Sequence, residues 1–271
     1  MRILHLSDLH YGEKYKTKIE RMFPPFLDKI RIINQEKKID LVVFTGDLVW
    51  SGNKIDSFQK VKKKFIAPIL KEISIEENNF IICPGNHDMS ERKELPAITE
   101  YINKFSTNDE LDKFVTKRDQ QFDLSYEKSN HYYNFVNSYY PNDNIDKLYH
   151  TFQRKIKDKK IGIVSFHTPW RSFVGEQSEQ LLLPLKIIHD AIYSIPMKDL
   201  YISLMHHPVD DLKKFNSYEV EDIIYEKFHI VFSGHYHKKK QTVIFTSDIG
   251  ILSISSMSSM SGNDKSSIGF Q

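Results

Sequence analysis

The stretch Phe80-Ile81-Ile82-Cys83-Pro84-Gly85-Asn86-His87-Asp88 runs four apolar residues into a turn that carries an amide, an imidazole and a carboxylate. An apolar run this short, bounded by Pro and Gly, reads as a buried strand. The pattern recurs four more times. Arg2 to Leu6 precedes Asp8-Leu9-His10, and Asp40 to Phe44 precedes Gly46-Asp47. Leu200 to Met205 precedes His206-His207-Pro208, and Ile230 to Phe232 precedes Gly234-His235-Tyr236-His237. In open α/β sheets, ligands bind where strands end and loops begin. Five such ends carrying His, Asp and Asn therefore describe one site assembled from most of the chain.

The segments between these ends carry helical spacing. Phe26, Leu27, Ile30 and Ile33 recur on one face, and Pro24-Pro25 suits the start of that helix, where a missing N–H does no harm. Phe58, Val61, Phe65, Ile69 and Ile73 mark a second helix, with Lys60, Lys62, Lys63 and Lys64 on its polar face. Strands alternating with helices predict βαβ units and a mainly parallel sheet, an α/β fold. From about Ser90 to Lys160 the chain is polar and tyrosine-rich without metal-type motifs, which reads as a mostly helical insertion (90–160) in a single domain spanning 1–271. Its aromatic residues are expected to pack locally, since a base-stacking platform needs exposed rings. Order returns at Ile161 to Phe166, followed by a helix around Leu185 to Tyr193 and another around Val220 to Phe228. An antiparallel pair is expected at Gln241 to Thr246 and Ile251 to Ser255, with a turn between Ser247 and Gly250.

With 271 residues, the chain is long enough for one large α/β domain or two small ones. A formal net charge of +2 argues neither for nor against a polyanionic partner. The single cysteine, Cys83, excludes an internal disulfide and sits in an apolar run as a small buried hydrophobe. A reducing, cytoplasmic compartment fits that usage. No apolar run reaches the 18 residues of a membrane span. The first apolar stretch is broken by His5, Ser7 and Asp8, so no secretory leader is expected and the domain is read as starting at the first residue.

Each motif alone is weak, but five in fixed order are not a coincidence. Together they resemble the calcineurin-like metallophosphoesterases from Arg2 to about His237. The resemblance implies a four-layer αββα sandwich with two divalent ions at the strand ends. Matched motif by motif, Asp8, His10 and His237 would hold one ion, Asn86, His206 and His235 the other, and Asp47 would bridge them. The mixed imidazole, carboxylate and amide set favours Mn²⁺, with Zn²⁺ or Fe as alternatives, over Mg²⁺ or Ca²⁺. Two cations roughly 3.5–4 Å apart clamp a phosphoryl group and activate a water for in-line attack. His87, beside the ligand Asn86, is the candidate to protonate the leaving alkoxide, and Asp88 would orient its other ring nitrogen.

The remaining candidates are assigned by position. The family pattern is His-x-Pro, so His206 is the ligand and His207 a supporting residue. His167 ends a strand on the same expected rim and is a candidate substrate contact; so is Lys238, which opens a three-lysine run directly after His237. His5, inside a strand, is expected to pack or hydrogen-bond.

Ser/Thr protein phosphatases of the superfamily carry an Arg in the second motif and Glu where Asp88 stands. Gly46-Asp47-Leu48-Val49-Trp50-Ser51-Gly52 and Asp88 disfavour that branch. The sequence looks closer to phosphodiesterases and nucleases, which implies a phosphodiester of nucleotides or nucleic acid as substrate. The rivals are a phosphomonoesterase or protein phosphatase, and a non-catalytic scaffold that has lost site residues; here every ligand position and His87 are present. The end at Gly269-Phe270-Gln271 suggests the N-terminal domain of a longer protein, since similar domains precede NTPase or sensor domains, some linked to antiviral defence.

Overall fold

A computed structural model describes residues 1–91, 95–172, 181–237, 240–245, 250–256, 258 and 259. The first three apolar runs become β1 (Ile3–Leu6), β2 (Leu41–Thr45) and β3 (Phe80–Cys83), a parallel sheet in the order β1-β2-β3. Every residue of β2 and β3 is buried, as expected of parallel strands covered on both faces. Their crossovers are α1 (Lys16–Glu36) and the pair α2 (Ile55–Val61) and α3 (Ala67–Ile73), joined by a wider π-type turn at Lys62–Ile66. The apolar residues of this second crossover recur mostly every four positions, which drifts round a 3.6-residue helix. The wider turn takes up the drift, and Phe58, Val61, Phe65, Ile69 and Ile73 all reach the core.

The second sheet has the order β4-β5-β6-β7-β8-β10-β9 among the described residues. Its strands are β4 (Asn144–Ile145), β5 (Tyr149–Ile156), β6 (Lys159–Phe166), β7 (Leu200–Leu204), β8 (Ile230–Ser233), β9 (Lys240–Phe245) and β10 (Gly250–Ser255). β6, β7, β8 and β10 are parallel, while β5 and β9 add antiparallel neighbours on either side. Alternation along β6 shows the layering. Ile161 and Ile163 join the core shared with the first sheet, whereas Val164 and Phe166 join a second core with α8 (Leu185–Tyr193) and α9 (Lys214–Lys227). The order helix, sheet, sheet, helix is the expected αββα sandwich.

Between β3 and β4 lie α4 (Pro96–Asn103), α5 (Asn108–Lys117), α6 (Gln120–Tyr126) and α7 (Asn130–Tyr139). Thr107 and Glu110 form a capping box at the start of α5, and the Asp119 carboxylate caps α6. These helices build a satellite core from Ile102, Phe114, Phe122 and Tyr126, joined by Trp170 from the turn after β6. Tyr126, Tyr132, Tyr139 and Tyr140 are buried, which fits local packing. The Tyr140 hydroxyl donates to Phe80 O (2.6 Å) and accepts from Ile82 N (3.0 Å), so it satisfies the open edge of β3.

Two expectations need correction. The segment 90–160 is not helical to its end, because Tyr149–Ile156 is β5, paired along its whole length with β6. Pro24 and Pro25 do not start α1 but lie inside it. The carbonyls they leave without an N–H belong to Glu20 and Arg21, which are exposed, so water can replace the lost bonds. The inner face of Ile19, Phe26 and Ile30 stays packed. Among the described residues, no helix is long and apolar enough to cross a membrane.

Candidate metal centre

The loops after β1 and β2 remain paired beyond the strands themselves. His10 N donates to Asp47 O (2.9 Å), Tyr11 N to Leu48 O (3.1 Å) and Trp50 N to Tyr11 O (2.9 Å), while Asp8 N donates to Gly46 O (2.9 Å). Asp8, His10, Asp47, His235 and His237 all have φ between 50° and 68°. They make up five of the eight non-glycine positive-φ residues among those described. Asp and His visit this left-handed region more readily than most residues, yet still at a cost, so the clustering marks a site held by its surroundings. Gly85 is required by close approach, since a Cβ there would fall on the Asp47 carboxylate and backbone.

The side chains from the five strand ends meet. His237 Nε2 lies 3.1 Å from Asp8 Oδ1 and 3.4 Å from His10 Nε2. His206 Nε2 lies 3.1 Å from Asn86 Oδ1. Asp47 Oδ2 stands between the two sets, 3.5 Å from His10 Nε2 and 3.5 Å from His206 Nε2. Ligand atoms bonded at about 2.0–2.2 Å to one ion sit about 3 Å or slightly more from one another, the spacing seen here. The rings of His206 and His235 are 5.2 Å apart, and His235 lines the same cavity. Groups of ligand-type atoms within 4.8 Å of one another comprise Asp8, His10 and His237; Asp8, Asp47 and His206; His10, Asp47 and His87; and His206, His207 and His235.

The electrostatics favour positive charge at this point. Burial alone would raise the Asp47 pKa, but His206 and His10 outweigh it and hold the carboxyl well below its usual value. Burial pulls His206 down, yet the Asp47 and Asp8 carboxylates lift it to about 9. His10, dominated by burial, falls to about 4. His206 Nδ1 must donate to the Thr45 carbonyl at 2.7 Å, which leaves Nε2 as the ring atom facing Asp47 and Asn86. The donor chemistry, the spacing and the buried carboxylates thus fit divalent cations.

His87 is fixed from both ends. Its backbone N–H donates to Asp47 Oδ1 (2.8 Å), and its Nδ1 donates to the Trp50 carbonyl (2.9 Å). Its ring lies 4.5 Å from that of His10 and 4.7 Å from that of Trp50. The proposed partnership with Asp88 is therefore corrected. The buried Asp88 carboxylate accepts from Gly85 N and Val49 N, each at 2.9 Å, and pins the two loops together. His167 is also corrected as a substrate contact: it is buried between Tyr126 and Tyr132, with ring centroids 5.4 and 6.1 Å away. His207 is held by Thr168, whose hydroxyl lies 3.0 Å from its Nδ1. His5 meets Thr45 Oγ1 at 2.8 Å. Lys238 lies outside the described residues.

A cavity of about 250 Å³ opens over the cluster, lined by His10, Tyr15, Asp47, Trp50, Asn86, His87, His235 and His237. Tyr15 and Trp50 carry no metal-type motif and escaped the sequence reading. Their only signal was an aromatic residue close behind a ligand on two neighbouring loops.

Carboxylates and imidazoles converging from strand ends under an open cavity form a candidate metal centre. The sequence profile described as calcineurin-like phosphoesterase matches residues 1–239, and the chain belongs to that family. It is 25% identical over 246 residues to an uncharacterized metallophosphoesterase-like protein, YydB, of Bacillus subtilis. That match takes in 88% of this chain but 49% of the relative, so the chain spans about half the length of the curated protein it matches. The fold is shared with a purple acid phosphatase, PPD1, from yellow lupin seeds, at 13% identity and a TM-score of 0.53, covering 100% of this chain and 47% of that one. It is shared too with a dimetal phosphatase from Danio rerio, at 12% identity and a TM-score of 0.50, covering 99% and 90%.

Proposed function

We propose that this chain is a two-metal phosphodiesterase acting on nucleotide or nucleic-acid phosphodiesters in the cytoplasm, with Mn²⁺ as the preferred ion. The observation that carries the reading is Asp47 Oδ2, equally distant from the imidazoles of two ligand sets. Asp8, His10 and His237 would hold one ion, Asn86, His206 and His235 the other, and Asp47 both. When bound, such ions neutralise phosphoryl charge and bring the pKa of a water into the neutral range.

The chain's own residues do the rest. The Asp47 carboxylate is oriented by the His87 N–H, so the residue that would hold both ions and the proposed acid are set by one contact. With Nδ1–H committed to the Trp50 carbonyl, His87 has Nε2 left to carry a proton to the substrate. As the water oxygen bonds to phosphorus, the opposite P–O bond breaks and its electron pair stays on the leaving oxygen. The His87 proton goes to that oxygen, and the water's proton passes to solvent.

Hydrolysis of bis-p-nitrophenyl phosphate against p-nitrophenyl phosphate, with Mn²⁺ and with chelator, tests the reading. Diester preference that chelation abolishes and Asp47→Ala removes is expected. A strong monoester preference would overturn the diesterase, and full activity in Asp47→Ala would overturn the site.

A further inference from the structure

We propose that Trp50, Tyr15 and Lys14 form a subsite that receives the planar base of a nucleotide phosphodiester on its leaving-group side. The proposal rests on the phosphodiesterase reading and adds what that reading lacks, a feature that selects the substrate. Trp50 and Tyr15 line the same cavity as the ligand cluster, with their rings 5.1 Å apart and nearly perpendicular at 73°. The wall they make is built in. Trp50 N donates to the Tyr11 carbonyl, Tyr15 N to the Gly12 carbonyl, and a Cβ at Gly12 would collide with the Trp50 side chain. Trp50 is half-buried and lies outside the buried clusters that form the cores of the described residues.

Its place beside His87 gives the wall a direction. The Trp50 ring lies 4.7 Å from the His87 ring, and the Trp50 carbonyl fixes His87 Nδ1. The group that passes nearest the proton donor is the leaving group, so a leaving nucleoside brings its base onto this wall. Lys14 Nζ stands 4.3 Å from the centre of the Trp50 ring and 5.2 Å from that of Tyr15. A cation over an exposed ring is held more weakly than a stacked base, so the base displaces the amine. Lys14 is then free to meet the negative charge of an adjoining phosphate. Base–aromatic stacking tolerates all four bases, because each has a π face.

The test compares ApA, which carries a base on its leaving side, with the ringless diester glycerophosphoethanolamine, both with Mn²⁺. Trp50→Ala is expected to lower the ratio of kcat/KM values, ApA over the ringless diester, by about tenfold through KM, with Trp50→Phe keeping most of it. Adenosine, the leaving product of ApA, should quench the tryptophan fluorescence of the protein, and the quench should vanish in Trp50→Phe, where only Trp170 remains. Equal loss on both diesters in Trp50→Ala, together with unchanged quenching in Trp50→Phe, would overturn the subsite and leave Trp50 as a support for His87. Failure of the wild type to cleave ApA, the ringless diester and bis-p-nitrophenyl phosphate alike would remove the phosphodiesterase reading, and the subsite with it.

Discussion

Acid should loosen the fold at a place the metal centre does not touch. His150 on β5 and His167 just beyond β6 are fully buried, and burial lowers the pKa of each to about 3. Tyr132 stacks over His150 at 5.8 Å and Tyr126 covers His167 at 5.4 Å, while Lys128 adds a nearby positive charge that also disfavours a second one. In the unfolded chain a histidine titrates near its ordinary value of about 6.5. Between those two pH values only the unfolded state binds the proton. The stability each histidine confers is therefore complete above about pH 6.5 and falls by about 1.4 kcal/mol per pH unit below it. At about pH 5 the loss is about 2 kcal/mol for each, or about 4 kcal/mol for the pair. Urea unfolding of chelator-treated protein at about pH 7.5 and about pH 5 gives that loss for the wild type, His150→Leu and His167→Leu. The imidazoles of the metal centre titrate in all three proteins and cancel in the comparison. Each variant should lose about 2 kcal/mol less than the wild type between the two conditions. Losses that agree to within about 0.5 kcal/mol would refute the argument that these rings are buried neutral.

Three further outcomes bear on the site itself. His87→Gln should lower kcat by about 10²–10⁴-fold on a diester with an alkoxide leaving group, and far less on bis-p-nitrophenyl phosphate, whose phenolate leaves without a proton. Its bound metal, counted by mass spectrometry, should match the wild type. Asp88→Asn keeps one acceptor for Val49 N and Gly85 N but turns an N–H toward the other. That costs about 1–3 kcal/mol, read by calorimetry as a drop in Tm of about 2–4 °C per kcal/mol. Gly85→Ala places a methyl on the Asp47 carboxylate, so bound metal and activity should fall together while β3, buried beneath, keeps its far-ultraviolet circular dichroism.

What the sequence made legible followed from local rules. β1, β2, β3, β7 and β8 are short apolar runs, and parallel strands bring their C-terminal ends to one edge, so residues just past each run must meet. Position past a strand does not reveal which way a side chain turns. Asp88 follows His87 directly and looked like its partner, but the single turn Asn86–Asp88 sends the carboxylate back to Gly85 and Val49. β5 was hidden for the opposite reason. His150 and Thr151 are polar yet buried on opposite faces of the strand, His150 against Tyr132 of α7 and Thr151 against Ser194 at the end of α8. Pro24 and Pro25 mimicked a helix start because the solvent that repairs their missing bonds has no trace in the sequence.

The backbone of the candidate centre ties its proposed ligands into one unit. A non-glycine residue held at positive φ costs on the order of 1 kcal/mol or more, and here five such residues share one cluster. No single loop stores that strain stably. The loop of Asp8 and His10 is held by the loop of Asp47 through four backbone hydrogen bonds, and the Asp47 loop is held by Asp88 through Val49 N and by the His87 N–H. Gly46, at φ 95°, sits under the His206 ring, so the loop from the first sheet also sets the position of a ligand from the second. Relaxing any one of these residues toward ordinary dihedrals moves Asp47, which faces both ligand sets. The two proposed ion positions therefore cannot be disturbed separately from this side, and a substitution at Gly46 should weaken both rather than one.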